Sequence, residues 1–135
     1  MLPVNGNGFR LLERTLDAAN LRQSVIANNI ANVDTPKFKR SEVRFEELLQ
    51  QSMGNSYPSI EGRRTDPRHM YIGRRGGNVE AQIVVDQHSV MNNNLNNVDI
   101  DSEMALLAKN QLRYNTVVQQ VSHEIKMVRT ALEAR

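Results

Sequence analysis

The stretch Val25-Ile26-Ala27-Asn28-Asn29-Ile30-Ala31-Asn32-Val33-Asp34-Thr35-Pro36-Lys37-Phe38-Lys39 decides how the chain is read. In its first half, apolar Val25, Ile26, Ile30 and Val33 stand at helical spacing among the amides Asn28, Asn29 and Asn32. Its second half is a stop. Pro36 has no backbone donor and biases Thr35 toward an extended conformation, so the helix is expected to end by about Val33. An amide-rich helix end suits a surface that hydrogen-bonds to neighbours better than it suits a buried core.

Upstream, Phe9, Leu12, Leu16, Ala19, Gln23, Ile26, Ile30 and Val33 follow alternating steps of three and four. That is a heptad seam with one polar member, Gln23. A helix over 9–33 would be roughly 37 Å long. Residues 1–8, with Pro3, Gly6 and Gly8 among asparagines, read as a flexible tail.

At the other end of the chain a second heptad helix is expected over 99–133. Asp99 or Asp101 can cap it, and Glu103 adds negative charge to its first turn. Its seam reads Ile100, Met104, Leu107, Gln111, Tyr114, Val118, Val121, Ile125, Val128 and Leu132. Gln111 occupies the same type of heptad position as Gln23, and such polar members weaken a coil while helping to fix its register. Two heptad helices at opposite ends of one chain most simply pair with each other. The expected fold is therefore mainly α: a terminal-helix coiled coil with residues 34–98 inserted between its halves. Apolar residues remain outside the two seams, at Leu11, Ala18 and Val25 in the first helix and Leu106, Leu112, Val117 and Met127 in the second. They could meet the short helix at 42–52 of the same subunit, but neighbouring subunits are the favoured covering.

Within the insertion, Ser41 can cap a short helix over about 42–52 whose apolar face is Val43, Phe45, Leu48 and Leu49. Glycines and prolines then break every helical window. A hairpin is expected over about 69–85, from strands near His69–Ile72 and Val79–Val85 joined through Arg74-Arg75-Gly76-Gly77-Asn78. Asn92, Asn93, Asn94, Asn96 and Asn97 form an amide-rich linker.

Bulk properties narrow the function classes. The chain has 135 residues, enough for one ordinary domain. With 39% hydrophobic and 4% aromatic residues and no Trp, it has little with which to fill a core. The absence of Cys rules out disulfides, thiolate metal sites and Cys nucleophiles. No apolar run approaches the roughly 18 residues of a membrane span, so direct membrane insertion is not expected. The N-terminus lacks the basic start and apolar block of a secretory signal. His69, His88 and His123 are scattered, and Asp99, Asp101 and Glu103 lack the rest of a calcium loop. No catalytic, cofactor-binding or metal-binding residue is expected. A net charge of +2 is too mild to argue for nucleic acid by itself. The pairs Arg63-Arg64 and Arg74-Arg75 nevertheless support an alternative, a dimeric coiled-coil regulator that binds nucleic acid through a basic hairpin.

A family resemblance favours a different reading. Ala27-Asn-Asn-Ile-Ala-Asn-Val-Asp-Thr-Pro36 resembles the N-terminal signature of flagellar basal-body rod proteins. Asn97-Val-Asp-Ile-Asp-Ser-Glu-Met104 and Leu107-Ala-Lys-Asn-Gln-Leu-Arg-Tyr-Asn115 are similar to the C-terminal helix of the proximal-rod members, and Thr65-Asp-Pro-Arg-His69 to their middle. The resemblance covers both long helices. It implies a non-enzymatic subunit of the rod, the axial drive shaft and export channel of the flagellum, located outside the cytoplasmic membrane. It implies export by the flagellar apparatus without a cleaved signal peptide. The implied partners are further copies of the chain, other rod proteins, the adaptor joining rod to membrane ring, and the export apparatus in transit, with no nucleic acid. Asn28, Asn29, Ile30, Asn32, Asp34, Thr35 and Pro36 become the expected assembly motif. One position departs from the pattern: the family usually has Gly after the Pro, and here it is Lys37. If that position needs a left-handed backbone, Lys is strained there.

Overall fold

The computed structural model describes residues 7–54, 66, 80–89, 91 and 95–133. In order, these form α1 (Asn7–Ala31), β1 (Ser41–Arg44), α2 (Glu46–Gly54), β2 (Gln82–Val85) and α3 (Ile100–Glu133). The protein is mainly helical. The long terminal helices α1 and α3 pack on each other, and a small two-stranded sheet lies between them in sequence. Their pairing is antiparallel, because Asn29 of α1 meets Glu103 while the earlier Ala19 meets the later Asn110.

α1 ends before Pro36 has to stop it. After Ala31 the chain tightens into short turns, with Asn32 N–H donating to Asn29 O (3.1 Å) and Val33 N–H to Ile30 O (3.3 Å). A further turn, Thr35-Pro36-Lys37-Phe38, closes with Phe38 N–H on Thr35 O at 3.3 Å. Pro36 occupies its second position, which suits a fixed negative φ. Lys37 occupies the third, with φ 60°. A turn with proline second and positive φ third is the type II arrangement, which favours glycine at the third position. Lys37 therefore carries real backbone strain. Lys37→Gly is expected to stabilise the protein by about 0.5–1 kcal/mol. Thermal unfolding followed by circular dichroism should show a rise of a few degrees, and a fall would mean the Lys37 side chain contributes more than its backbone costs.

The inserted segment departs from expectation in two places. Ser41 opens a strand and caps no helix. The polar–apolar alternation Glu42-Val43-Arg44-Phe45 buries Val43 and Phe45 while exposing Arg44, which is strand periodicity. The short helix begins only at Glu46, where Glu46 and Glu47 place negative charge in its first turn. β2 also has a partner that the spacing did not indicate. It pairs antiparallel with β1, in the register Ser41↔Val85 and Val43↔Ile83. Val79 is not among the described residues, and the strand is confined to Gln82–Val85. The expected segments His69–Ile72 and Arg74–Asn78 lie outside the described residues, as does most of the expected N-terminal tail.

Among the described residues the apolar core is small and gathers where α1, β1 and the start of α3 meet. Its buried members are Ala18, Ala19, Val25, Ile26, Val43, Phe45 and Val98. Ala18 and Ala19 are small, which suits close approach of backbones to α1.

The helix seam is half as expected. Leu12, Leu16, Ala19, Ile26 and Ile30 of α1 are buried or half-buried, as are Leu107, Tyr114, Val121 and Val128 of α3. The other α3 row is not in the pairing. Met104 (54% exposed), Val118 (37%) and Ile125 (50%) are open, and so is Gln111. In their place the row one residue earlier turns inward, with Glu103 and Asn110 buried and Val117 and Glu124 half-buried. Gln23 is likewise exposed. Neither glutamine is a seam residue. The two α3 rows flank the same Leu107–Tyr114–Val121–Val128 ridge, so apolar spacing alone does not separate them. Polar anchors do.

Candidate functional site

The most constrained region is a buried polar cluster at the junction of α1, β1 and α3. Asp99 caps α3, accepting from Asp101 N–H at 3.0 Å through its carboxylate and from Glu103 N–H at 2.9 Å through its carbonyl. This sets the first turn so that the Glu103 side chain, 1% exposed, points into the junction. One carboxylate oxygen of Glu103 accepts from Arg40 Nε, and the other accepts from Asn29 Nδ2 at 3.1 Å. Asn29 also brackets the start of β1. Its Nδ2 donates to Ser41 O (2.8 Å) and its Oδ1 accepts from Ser41 N–H (3.1 Å), so the amide stands in for a strand partner. Asn29 is fully buried.

Two further amides close the cluster. Asn96 Nδ2 faces the carbonyls of Asn32 (3.0 Å), Val33 (2.9 Å) and Thr35 (2.9 Å), where α1 has run out and its last carbonyls need donors. Its Oδ1 accepts from Val98 N–H at 2.7 Å. Leu95, immediately before it, adopts φ 65°. Asn97 Oδ1 accepts from Arg40 N–H at 2.6 Å, while its Nδ2 donates to Asp86 O (3.1 Å) and Ser89 Oγ (2.8 Å). The amides that sequence spacing assigned to a linker thus fasten the two ends of the inserted segment together just beyond the end of α1.

Asp86 finishes β2. Its N–H donates to Arg40 O, and its carboxylate accepts from the hydroxyl and N–H of Ser89 and the N–H of His88. The Ser89 hydroxyl, then the two backbone donors, hold this carboxyl down to about 2 from an ordinary 3.8. A depressed folded value means the contribution is complete above about pH 4 and is lost as pH falls toward 2. Asp86→Asn should therefore flatten the pH dependence of the thermal midpoint between about pH 4 and 2. An unchanged slope would place the acid sensitivity elsewhere.

Glu46 links all three helices at the surface, accepting from Arg22 of α1 (2.6 Å) and Arg113 of α3 (2.8 Å). Burial raises its carboxyl pKa, but its own backbone N–H and the two arginines outweigh that and leave it lowered.

No group of His, Asp and Glu positioned to hold a metal occurs among the described residues. The cleft beside the cluster, between Arg22, Ile26, Val43 and Leu106, is only about 150 Å³. No helix among the described residues is long and apolar enough to cross a membrane.

The sequence-predicted motif is divided by the fold. Asn29 is internal, not a lateral contact. Ile30 and Asn32 are half-buried, and the Asn32 side chain donates back to Asn28 O at 2.8 Å. Asn28, Asp34, Thr35 and Pro36 are exposed. Sequence reasoning did not single out Arg40, Asn96, Asn97, Glu103 or Asn110 as a cluster. The only signal was their residue type at the flanks of the two helices.

Comparison with known proteins gives this architecture a class. A family profile described as "Flagella basal body rod protein" matches residues 9–39, which span α1 and the Thr35–Phe38 turn. The flagellar basal body rod protein FlgB of Borreliella burgdorferi is 39% identical over 123 residues, covering 89% of this chain and 91% of that protein. FlgB of Borrelia hermsii is 40% identical over 126 residues (91% and 93%), and that of Bacillus subtilis 37% over 121 residues (90% and 89%). The chain is a structural subunit of the flagellar basal body rod. Within that class it belongs to the FlgB family. The relatives give no support to the nucleic-acid alternative.

Proposed function

We propose that the chain enters the rod through the row Met104, Val118, Ile125 and Leu132 of α3, which packs against further copies and against other rod proteins. The observation that carries this is a heptad-spaced apolar row left open along the helix. Leu112 and Met127, 70% and 60% exposed, stand on other faces of α3. α3 is also longer than α1, 34 residues against 25. A single chain with so little core gains most of its remaining apolar burial by association.

The chain reaches the basal body through the flagellar export apparatus, without a cleaved signal peptide. Its remaining partner is the adaptor between rod and membrane ring, met through the exposed face of α1. Its role is structural, and no catalysis is assigned to it. The exposed members of the N-terminal motif, Asn28, Asp34, Thr35 and Pro36, serve lateral contacts at the junction end.

Ile125→Asp tests this. Residue 125 is already half open to solvent, so the isolated chain should keep its helix content. In an assembled rod the same carboxylate would be buried without a partner, at a cost of several kcal/mol per subunit. Cells carrying only this variant are expected to make the chain at normal levels and to lack rods and swimming. Normal swimming would remove the row from the assembly interface.

A further inference from the structure

α3 carries two rows competing for α1. Glu103 and Asn110 are buried against it and Val117 and Glu124 are half-buried, while Met104, Gln111, Val118 and Ile125 are exposed. The outward row has three apolar members of four and the inward row one. Both share the ridge Leu107, Tyr114, Val121 and Val128. Turning α3 about its axis by roughly 50° would exchange them, at about 100° per residue. Apolar burial favours the exchange, yet the structure shows the polar row inside.

The Glu103 cluster accounts for the first turn of α3. Farther along, the buried polar anchor is Asn110, 2% exposed. Its Nδ2 donates to Ala19 O at 2.9 Å, a carbonyl in the interior of α1. Its Oδ1 has no partner among the described residues. An amide that leaves water for one bond to a helix carbonyl, with its acceptor unpaired, is a worse stabiliser than an aliphatic side chain of the same size. A lone buried Asn in a helix seam has a well-attested role as a selector of register and partner at the expense of stability.

We propose that Asn110 is a specificity-determining residue for the pairing of α3. By requiring the Ala19 carbonyl, it holds the polar row against α1 beyond the first turn and so keeps the Gln111–Val118 stretch of the outer row free. The use of that free row by another copy rests on the assembly face proposed above; the selection itself does not.

The chain has no Cys, so single thiols report cleanly. Q111C and V117C are made separately in the parent, in N110L and in N110A. Maleimide labelling rates are measured on the full chain in dilute solution. In the parent, the Q111C thiol, on the exposed row beyond the first turn that Glu103 fixes, should react about tenfold faster than the V117C thiol. In N110L the ratio should fall to within about threefold as the rotation is no longer selected, and N110A should move it the same way without adding bulk. N110L should also unfold at a higher temperature than the parent. A ratio unchanged in both variants overturns the proposal, as does a parent with no contrast. So does an N110L chain that fails to fold while N110A keeps the contrast. Because the readout is on single chains, it is independent of whether I125D cells swim.

Discussion

Glu103→Ala is expected to cost about 3 kcal/mol, a large part of the stability of a chain with so small an apolar core. The argument rests on what the substitution leaves behind. Glu103 is 1% exposed and satisfies two donors that come from different elements, Arg40 Nε before β1 and Asn29 Nδ2 in α1. Removing one member of a buried charged pair strands the other, and the expected range is about 3–5 kcal/mol. The low end applies here because Arg40 is 28% exposed and regains water. Asn29 keeps its two bonds to Ser41 but turns its free hydrogen toward a cavity. Glu103→Gln separates charge from shape. It keeps one acceptor and removes the other, so about half the loss should remain. Urea unfolding followed by far-ultraviolet circular dichroism measures both. A loss below about 1 kcal/mol for Glu103→Ala would show that the cluster is held by its amides alone.

How much of this was legible in the sequence differs between the helices and their junction. The pairing of two terminal helices follows from apolar spacing, and so does the ridge Leu107, Tyr114, Val121 and Val128. The choice between Met104 and Glu103 as its flank does not follow from spacing. Both lie beside that ridge, and hydrophobicity favours the wrong one. What decides it is a carboxylate meeting Arg40 and Asn29, residues separated from it in sequence by 63 and 74 positions. No local pattern encodes such a meeting. The strand Ser41–Arg44 was visible as an alternation, but it is four residues long, and Leu48 and Leu49 of the following helix extend the helical spacing back over Val43 and Phe45. Lys37 is the reverse case. Its strain was signalled only by the family's usual Gly at this position, and the observed φ of 60° shows that the turn demands it. The asparagines were misjudged for a physical reason. An amide is costly to bury only when unpaired, and in this junction Asn29, Asn96 and Asn97 find partners for both donor and acceptor.

Asn96→Asp sharpens that last point, because it changes two atoms' chemistry and almost no volume. The Asn96 Nδ2 is surrounded by the carbonyl oxygens of Asn32, Val33 and Thr35. A carboxylate there would set an acceptor against three acceptors, at a helix C-terminus whose dipole already disfavours negative charge. The expected loss at neutral pH is about 2–4 kcal/mol, at least as large as for Asn96→Ala, which removes the donor without adding a charge. The two substitutions should then part company with pH. Burial and repulsion raise the carboxyl's folded pKa above its unfolded value of about 4. The protonated acid regains a donor, so the penalty relative to the parent is full above the folded pKa and shrinks as pH falls through it. The Asn96→Ala deficit, with nothing to titrate, should stay constant over the same range. Thermal midpoints of parent, Asn96→Ala and Asn96→Asp from pH 7 down to 4.5 make the comparison above the range in which Asp86 titrates. If the two variants track each other across that range, the Asn96 donor is not what holds the end of α1 to the start of α3.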